Sequence, residues 1–370
     1  MSDVVDRLMI NRAAAPGDDF NSFIDAIDLA LKSEAAGKLK PEQYPRLVQE
    51  LSSRPSWSFQ KKTLRTEFGF MLPVSASDPV HTLENFKAGV DLLVDNQQPW
   101  VRFGIVGFEV MDAGGDGTII WSEPALAVYD EAIRYAHGRG LRILLGTVDG
   151  EEGENTPRAT HIKIMSDYWA GISQRFGEMV SVWQVYNEAD VSHYRTHADV
   201  SDLSAKDYQA YLDELAEMLE VANRSIKAEH PGIMLTTNTY GYPPDRRNEL
   251  RWNTFLDRLV NLLDVVSLDT YPADSLDAIV ILPARVDRIA TRYHKPVIIA
   301  EVGLQTTGAW NGHSQRLYLP PTIASLKAAN PMAIIAYEFK DYGGSDRFGI
   351  LRTDNTRKAA FRDVMAVMRA

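Results

Sequence analysis

Short apolar runs alternate with longer helical patterns eight times along this chain, and no other feature of the sequence constrains the fold as strongly. The runs are rich in Val, Ile and Leu, as strands of a buried parallel sheet are. Eight successive βα units close into a barrel. The sequence therefore predicts an α/β fold, a (β/α)8 TIM barrel. The predicted strands are Phe68–Val74, Trp100–Val106, Arg142–Val148, Val180–Tyr186, Met234–Thr239, Val265–Tyr271, Val297–Val302 and Ile334–Phe339.

Amphipathic segments between these runs predict the helices of the barrel. An open, doubly wound sheet is the structural alternative. Such a sheet normally carries a glycine-rich phosphate turn after its first strand. Here the first strand leads into Ser75, Ala76, Ser77, Asp78 and Pro79, so the barrel is favoured. The predicted helices are Val80–Val94, Glu123–His137, Ala159–Arg175, Ser204–Ala228, Leu276–Arg292, Gln315–Ala328 and Ala359–Met368.

The first 62 residues have a different pattern from the rest of the chain. Apolar residues between Phe20 and Leu31 follow helical spacing, and a second helix is predicted from Pro41. The cluster from Ser52 to Pro55 ends it. We therefore predict an N-terminal helical extension over residues 1–62, packed on a barrel that spans residues 63–370.

Charge and composition exclude several classes of protein. The formal net charge is −11, so nucleic acid and anionic membrane surfaces are disfavoured as partners. The chain has no cysteine, which excludes disulfides, thiolate metal sites and thiol nucleophiles. No apolar stretch has the length of a membrane helix or of a secretory signal. We expect a cytoplasmic protein, or one exported by a route without a classical signal peptide; the oligomeric state is left open.

Two of the predicted strands end in a glutamate. Glu188 follows the fourth strand and Glu301 lies at the end of the seventh. Functional side chains of such barrels stand at the carboxyl ends of the strands. Two carboxyl groups facing one cavity can be driven to different pKa values, which suits one acid and one nucleophile. Being three βα units apart, they are expected on opposite sides of the barrel mouth.

These motifs resemble those of the retaining glycoside hydrolases built on (β/α)8 barrels. Asn187 with Glu188 resembles the Asn-Glu motif of their acid/base, and Glu301-Val302-Gly303 resembles their nucleophile motif. Arg102 on the second strand and Tyr271 after the sixth resemble residues that hold the nucleophile. The likeness covers about residues 67–370 and is strongest to families 39 and 5, between which the sequence does not choose.

The resemblance implies an O-glycosyl hydrolase with a carbohydrate substrate and no cofactor. Glu301 would attack the anomeric carbon and Glu188 would protonate the leaving oxygen. Arg102 and Tyr271 would keep Glu301 ionised, and Asn187 would bind the adjacent sugar hydroxyl. The carboxyl groups of Glu188 and Glu301 are expected about 5 to 5.5 Å apart, the retaining separation.

Some substrate contacts cannot be carried over from the resemblance. Many members have a tryptophan at the eighth strand and a histidine after the third, where this chain has Tyr337 and Thr147-Val148-Asp149. Trp252 and Trp310, in predicted loops after the fifth and seventh strands, are candidates for stacking on a sugar ring. Glu338, near the eighth strand tip, is a candidate for binding a hydroxyl.

No metal site is predicted. The acidic loop Asp149–Glu154 lacks the ligand spacing of a calcium loop. His193 and His197 have the spacing of helical zinc ligands, but no glutamate follows His193 and the segment is predicted to be a loop. One of these histidines is a weaker candidate for contacting sugar.

Two alternatives to a hydrolase remain open. One is a catalytically inactive barrel that still binds carbohydrate. The other is an aldolase or a metal-dependent isomerase, which would need a lysine or a cluster of metal ligands at the strand tips. Only Lys340 comes near such a position, which disfavours the second alternative, and the presence of both Glu188 and Glu301 argues against the first.

Overall fold

The computed structural model describes most of the predicted barrel. The described residues are 66–148, 156–196, 198–201, 203–240, 246–271, 286–307, 312–343 and 347–369. Several predictions fall outside these ranges, namely the helical extension over residues 1–62, the acidic loop Asp149–Glu154, His197 and Trp310.

Nine strands form one parallel sheet, and two more form a separate hairpin. The sheet strands are β1 (Glu67–Met71), β2 (Trp100–Val106), β5 (Arg142–Val148), β6 (Val182–Val185), β7 (Met234–Thr236), β8 (Asn238–Thr239), β9 (Val266–Thr270), β10 (Val297–Val302) and β11 (Ala333–Ala336). The hairpin strands are β3 (Met111–Ala113) and β4 (Ile119–Trp121).

The order of the strands shows how the sheet closes. It runs β7-β6-β5-β2-β1-β11-β10-β9-β8. The two end strands, β7 and β8, are separated along the chain by Thr237 alone. Because β7 pairs with β6 and β8 pairs with β9, one interrupted fifth strand joins the two ends of the sheet. The predicted (β/α)8 barrel is confirmed, and the open sheet is ruled out.

Helices follow the strands, and all of the described helices except α2 and α6 overlap a helix predicted from the sequence. They are α1 (Leu83–Asp95), α2 (Gly107–Val110), α3 (Glu123–Gly138), α4 (Arg158–Phe176), α5 (Ala205–Glu229), α6 (Arg246–Leu259), α7 (residues 286–293), α8 (Gly312–Ala328) and α9 (Phe361–Arg369). Side-chain caps fix two of the starts. Thr82 accepts a hydrogen bond from the Asn85 N–H at 3.3 Å, and Ser204 accepts one from the Asp207 N–H at 3.2 Å. None of the described helices is long and apolar enough to cross a membrane.

An insertion after β2 was not anticipated from the sequence. It consists of α2 and the β3–β4 hairpin, and it packs on α4. The Trp121 ring lies against Gly171, where an added Cβ would approach the ring to 2.6 Å. Lys163 also donates a hydrogen bond of 2.7 Å to the Gly117 carbonyl in the hairpin turn. The insertion therefore has a fixed position beside the mouth of the barrel.

Apolar side chains fill the barrel interior below the strand tips. Alternate residues of each strand point inward, so Ile298 and Ala300 of β10 face the interior while Val297 and Ile299 face the helices. Polar side chains replace this packing toward the carboxyl ends of the strands. The interior cluster consists of Trp100, Leu144, Val182, Val265, Ile298, Ala300, Ala333 and Ile335.

Candidate active site

A cavity of about 750 Å³ opens at the carboxyl ends of the barrel strands. Its size is typical of a site for a small ligand or a part of a longer one. Every barrel strand, or the loop that follows it, contributes to the wall. In barrel order these contributions include Met71, Arg102, Thr147, Glu188, Tyr240, Tyr271, Glu301 and Tyr337.

A β-bulge in β10 directs Glu301 into the cavity. Ile299 pairs with Leu268 of β9, but the next pair is Glu301 with Asp269, so one extra residue lies on β10. Strict alternation would place Glu301 on the outer face with Ile299. The bulge shifts the register by one residue and turns Glu301 inward. The carboxylate is 7% exposed, so the cavity is its main contact with solvent.

Two donors hold the buried Glu301 carboxylate. Arg102 Nη1 donates to one oxygen and the Tyr271 hydroxyl donates to the other. Burial disfavours the charged form of Arg102, but attraction to Glu301 and Asp269 outweighs this and raises the pKa of Arg102. The ion pair between Arg102 and Glu301 is therefore complete and charge-neutral. The structure brings together three residues that the sequence analysis singled out.

Arg102 also orders the polar side chains beside Glu301. Its Nε donates to Gln184 Oε1 at 3.2 Å, and its Nη2 donates to Asn187 Oδ1 at 3.1 Å. One guanidinium thus fixes side chains from β6, from the segment after β6 and from β10. Its planar set of donors is suited to this task.

Asn187 directs its amide nitrogen toward the cavity. Its Oδ1 accepts from Arg102, from Gln184 Nε2 at 3.1 Å and from Asn238 Nδ2 at 3.0 Å. These three donors saturate the oxygen and fix the orientation of the amide. Nδ2 has no acceptor among the described residues, and the side chain is exposed in the cavity wall. It is available to donate to a ligand oxygen.

The backbone after β6 turns sharply to present Glu188. Tyr186 has a φ of 60° and Glu188 a φ of 49°, both in the left-handed region that non-glycine residues seldom adopt. Each such residue costs about 1 kcal/mol or more, and such strain concentrates at functional sites. The Glu188 N–H donates to Asn238 Oδ1 at 2.8 Å, which secures the turn.

Glu188 and Glu301 are close neighbours across the cavity. One carboxylate oxygen from each lies within 4.8 Å of the other. Burial, and then repulsion from Glu301, raise the pKa of Glu188 to about 7, although a hydrogen bond with Asp269 and the charge of Arg102 oppose the rise. Glu188 therefore holds a proton near neutral pH, whereas Glu301 has a permanent cation beside it.

Asp269 is a third carboxyl group in this cluster and was not among the predicted site residues. It lies on β9, two residues before Tyr271, and the two-residue period of a strand places both side chains on the same face. The side chain is fully buried. Burial, and then the charge of Glu301, raise its pKa well above the ordinary aspartate value. That spacing from Tyr271 is the sequence signal that could have identified it.

The three carboxyl groups raise the question of a metal ion. Among the described residues, Glu188, Asp269 and Glu301 form the one group of such side chains close enough to share a cation. The Arg102 guanidinium already supplies positive charge to this cluster and contacts Glu301 directly. The donor set therefore fits an ion pair with protonated carboxyl groups better than a metal site.

Aromatic rings form the wall beside Glu301. The Tyr337 and Phe348 rings pack edge to face at 5.2 Å, and each packs similarly on Tyr271 at 6.1 and 5.7 Å. Tyr337 follows β11. The sequence analysis assigned no role to Tyr337 or Phe348.

A second aromatic group lies across the cavity, after β6. The His193 ring stacks on Tyr194 at 5.1 Å, and both residues line the cavity. His193 Nδ1 accepts from the Arg195 N–H at 3.2 Å, which leaves that nitrogen engaged by the backbone of its own loop. Tyr240, which is 51% exposed, extends this wall beyond β8.

Two of the predicted substrate contacts, Trp252 and Glu338, are not among the residues that line the cavity. Trp252 lies on α6 and not in a loop, because the segment after β8 forms an amphipathic helix. The helix turns this ring inward, so Trp252 is buried and does not line the cavity. Glu338 is buried next to Tyr337 and is not one of the cavity-lining residues. Its charge raises the pKa of Tyr342, after the effect of burial on that tyrosine.

Comparison with known proteins adds evidence on the fold. No protein family and no curated protein sequence matches this chain. Solved structures do match it, at low sequence identity. The β-glycosidase of the hyperthermophile Thermosphaera aggregans is 14% identical with a TM-score of 0.61, covering 82% of this chain and 95% of its own. The endo-1,4-β-mannanase of Rhizomucor miehei is 15% identical with a TM-score of 0.61, covering 84% and 97%.

A third similar structure is the protein GH5_18 from Streptomyces cattleya, in complex with GlcNAc. It is 13% identical to this chain, with a TM-score of 0.60, and the match covers 83% of this chain and 80% of that one. At such identities the likeness establishes the shared (β/α)8 barrel.

Proposed function

We propose that this protein is a retaining glycoside hydrolase in which Glu301 is the nucleophile and Glu188 the acid/base. The observation that carries the proposal is the pair of carboxylates facing each other within 4.8 Å, one bound by a cation and the other protonated near neutral pH. Retaining enzymes have carboxyl groups about 5–5.5 Å apart, whereas inverting ones need roughly 6.5–9.5 Å to admit a water molecule. The short separation supports the retaining mechanism.

The first half of the reaction forms a glycosyl-enzyme. A Glu301 oxygen forms a bond to the anomeric carbon as the bond to the leaving oxygen breaks, and Glu188 transfers its proton to that oxygen. Arg102 and Tyr271 hold Glu301 in place for the attack. Asn187 Nδ2 is positioned to donate to the sugar hydroxyl beside the reacting carbon.

The second half returns the enzyme to its starting state. Glu188, now a carboxylate, accepts a proton from water, and the water oxygen attacks the anomeric carbon. The bond to Glu301 breaks and its electrons return to the carboxylate. Two displacements at one carbon leave its configuration unchanged.

The names of the similar structures support a carbohydrate substrate with a β linkage. They include a β-glycosidase and an endo-1,4-β-mannanase. Because those proteins share the barrel at low identity, we propose β-linked glycosides as the first substrates to test. Membership of a family like 39 or 5 remains part of this proposal.

A panel of chromogenic β-glycosides, followed by two variants, tests the function. Glu301→Ala is expected to abolish turnover, and azide should restore part of it by attacking in the vacated space, giving a product of inverted configuration. Glu188→Ala should lower kcat/KM for substrates with poor leaving groups by roughly 10²–10⁴-fold and leave kcat/KM for dinitrophenyl glycosides nearly unchanged, because their leaving group needs no proton. With azide, that variant should give a product of retained configuration.

Two outcomes would contradict the proposal. Near wild-type rates in both variants, on a substrate that the intact protein hydrolyses, would exclude this pair of residues. Binding of oligosaccharide by calorimetry, with no hydrolysis anywhere in the panel, would instead favour the inactive carbohydrate-binding barrel.

A further inference from the structure

Asp269 is buried in the carboxyl cluster, and none of the described residues supplies it with a cation of its own. The Arg102 guanidinium donates hydrogen bonds to Glu301, Gln184 and Asn187. It acts on Asp269 through the electrostatic attraction of its charge. Three ionised carboxylates beside one guanidinium would leave two uncompensated negative charges in a buried site. Such a cluster retains protons instead.

The two oxygens of Asp269 have different surroundings. Oδ2 accepts a hydrogen bond from Asn238 Nδ2, as a carbonyl oxygen does. Oδ1 is buried and receives no N–H or hydroxyl donor from the described residues. The Glu188 carboxyl lies beside this side chain, with one oxygen of Glu188 and one of Asp269 within 4.8 Å of each other, and hydrogen bonding between the two side chains affects the pKa of both. A hydrogen bond between two carboxyl groups requires a proton on one of them.

Asn238 fixes which oxygen of Asp269 carries that proton. Its Oδ1 accepts from Gln184 Nε2 at 3.0 Å and from the Glu188 N–H at 2.8 Å, so its amide cannot be reversed without losing both bonds. Asn238 must therefore present its Nδ2 to Asp269, which makes Oδ2 the acceptor. Oδ1 is left as the site of the proton.

We infer that Asp269 is a protonated hydrogen-bond donor to Glu188, a positioning residue that steadies the Glu188 carboxylate once it has released its own proton. The inference rests on the proposed function for its role in turnover. The difference in burial supports this location of the proton, because Asp269 is fully enclosed whereas Glu188 reaches the cavity. A neutral carboxylic acid used as a donor in an enclosed site is an established device of catalysis.

The charged and titratable groups that face Asp269 come from four strands or the segments after them. They are Arg102 on β2, Glu188 after β6, Tyr271 after β9 and Glu301 on β10. β1 and β5 contribute Met71 and Thr147 to the same cavity, and neither is charged. The pH dependence described next therefore reflects this one cluster.

Asp269→Asn and Asp269→Leu distinguish the two protonation states. An asparagine reproduces a protonated aspartate, because its oxygen can accept from Asn238 and its NH₂ can donate to Glu188. If Asp269 is protonated, Asp269→Asn should leave the alkaline limb of kcat/KM within about half a pH unit of wild type. Asp269→Leu removes the donor and should move that limb up by about one unit. If Asp269 is ionised, both variants remove a negative charge and move the limb down, which would overturn the inference.

A measurement without substrate provides the second arm. In protein labelled with ¹³C at aspartate carboxyls, the signal absent from the Asp269→Asn spectrum should keep the shift of a protonated acid up to about pH 7. A signal that is ionised at pH 6 would overturn the inference, even if Asp269→Leu does not fold. Asp264→Asn is the matched control, because Asp264 precedes the amino end of the same strand and binds the Leu235 N–H there. It should leave the alkaline limb unchanged.

The pH dependence of kcat/KM and the NMR titration together distinguish a failure of this inference from a failure of the proposed function. If the intact protein hydrolyses no glycoside, the proposed function fails while the NMR signal still decides the state of Asp269. If hydrolysis is present and the signal is that of a carboxylate, the inference alone fails.

Discussion

Among the residues that the structure describes, Arg102 is the single cation within the carboxyl cluster, and the shape of its side chain matters as much as its charge. Three of its nitrogens reach three different side chains, Glu301, Gln184 and Asn187. A lysine would retain the charge but has one nitrogen at the end of a flexible stem. It could not hold the nucleophile and the amide of Asn187 together.

We therefore expect Arg102→Lys to lower kcat/KM by roughly 100-fold or more, the usual effect of misplacing reacting groups by about 1 Å. Steady-state kinetics on a β-glycoside that wild type hydrolyses would measure this loss. Arg142→Lys is the matched control, since Arg142 bonds Glu67 at the opposite end of the sheet and is 54% exposed. Rates for Arg102→Lys within threefold of wild type would show that charge alone suffices.

Glu109 connects the loop after β1 with the insertion after β2. It belongs to α2 and accepts from Ser75, Ser77 and Ala76 of the loop after β1, and from the Tyr129 hydroxyl on α3. Burial opposes ionisation of Glu109, but these hydrogen bonds outweigh it and lower its pKa to about 2. The loop after β1 is thereby bound to the insertion after β2.

Glu109→Gln should destabilise the fold by about 1–3 kcal/mol, because an amide has one acceptor oxygen and places an NH₂ against two donors. Chemical denaturation at pH 7 would measure it, with Glu131→Gln as the control at an exposed ion pair. Because the pKa of Glu109 is lower in the folded protein than in the unfolded one, its carboxylate stabilises the fold at pH values above the unfolded pKa. The difference in free energy of unfolding between wild type and Glu109→Gln should therefore shrink as the pH falls from about 4.5 toward 2. A difference that is constant across that range would show that the charge of Glu109 is not responsible.

Periodicity in the sequence was sufficient to predict the barrel. The bounds of β2, β5 and β10 agree residue for residue with the predicted strands, since buried runs of Val, Ile and Leu bounded by turns have little freedom. The β3–β4 hairpin was missed because its strands are three residues long. α6 was missed because polar and charged residues outnumber apolar ones along its sequence.

The features of the site that could not be predicted from the sequence were missed for a different physical reason. Glu188 and Glu301 could be named because each lies at or just after the end of a predicted strand. Arg102 and Tyr271 were named because they resemble residues of the retaining glycoside hydrolases. The bulge that turns Glu301 inward depends on pairing with β9, which one strand's own sequence does not encode. Gln184, Asn238 and Asp269 look like ordinary polar residues at the ends of strands, and only the closed barrel shows that they converge.

The raised pKa of Glu188 in the carboxyl cluster lowers the free energy of unfolding of the whole molecule near neutral pH. The pKa of Glu188 is raised from 4.5 to about 7 in the folded protein. A carboxyl group of this kind stabilises the fold below its unfolded pKa, and that contribution is lost as pH rises through the folded pKa. Each pKa unit corresponds to about 1.4 kcal/mol, so the loss between pH 4.5 and 7 is at most about 3 to 4 kcal/mol and is reduced by the partial exposure of Glu188 to the cavity.

Glu188→Gln removes this titration and should therefore make the protein more stable than wild type at pH 8, but not at pH 4. The side chain keeps its size, and the backbone bond from Glu188 to Asn238 does not depend on the charge. We expect the melting temperature to exceed that of wild type by roughly 2–5 °C at pH 8 in calorimetry. Glu123→Gln, at a side chain that is 69% exposed, should show no such dependence on pH. An equal or lower melting temperature for Glu188→Gln at pH 8 would mean that ionising Glu188 in the folded protein costs no stability, and Glu188 would then lack the environment that an acid working near pH 7 requires.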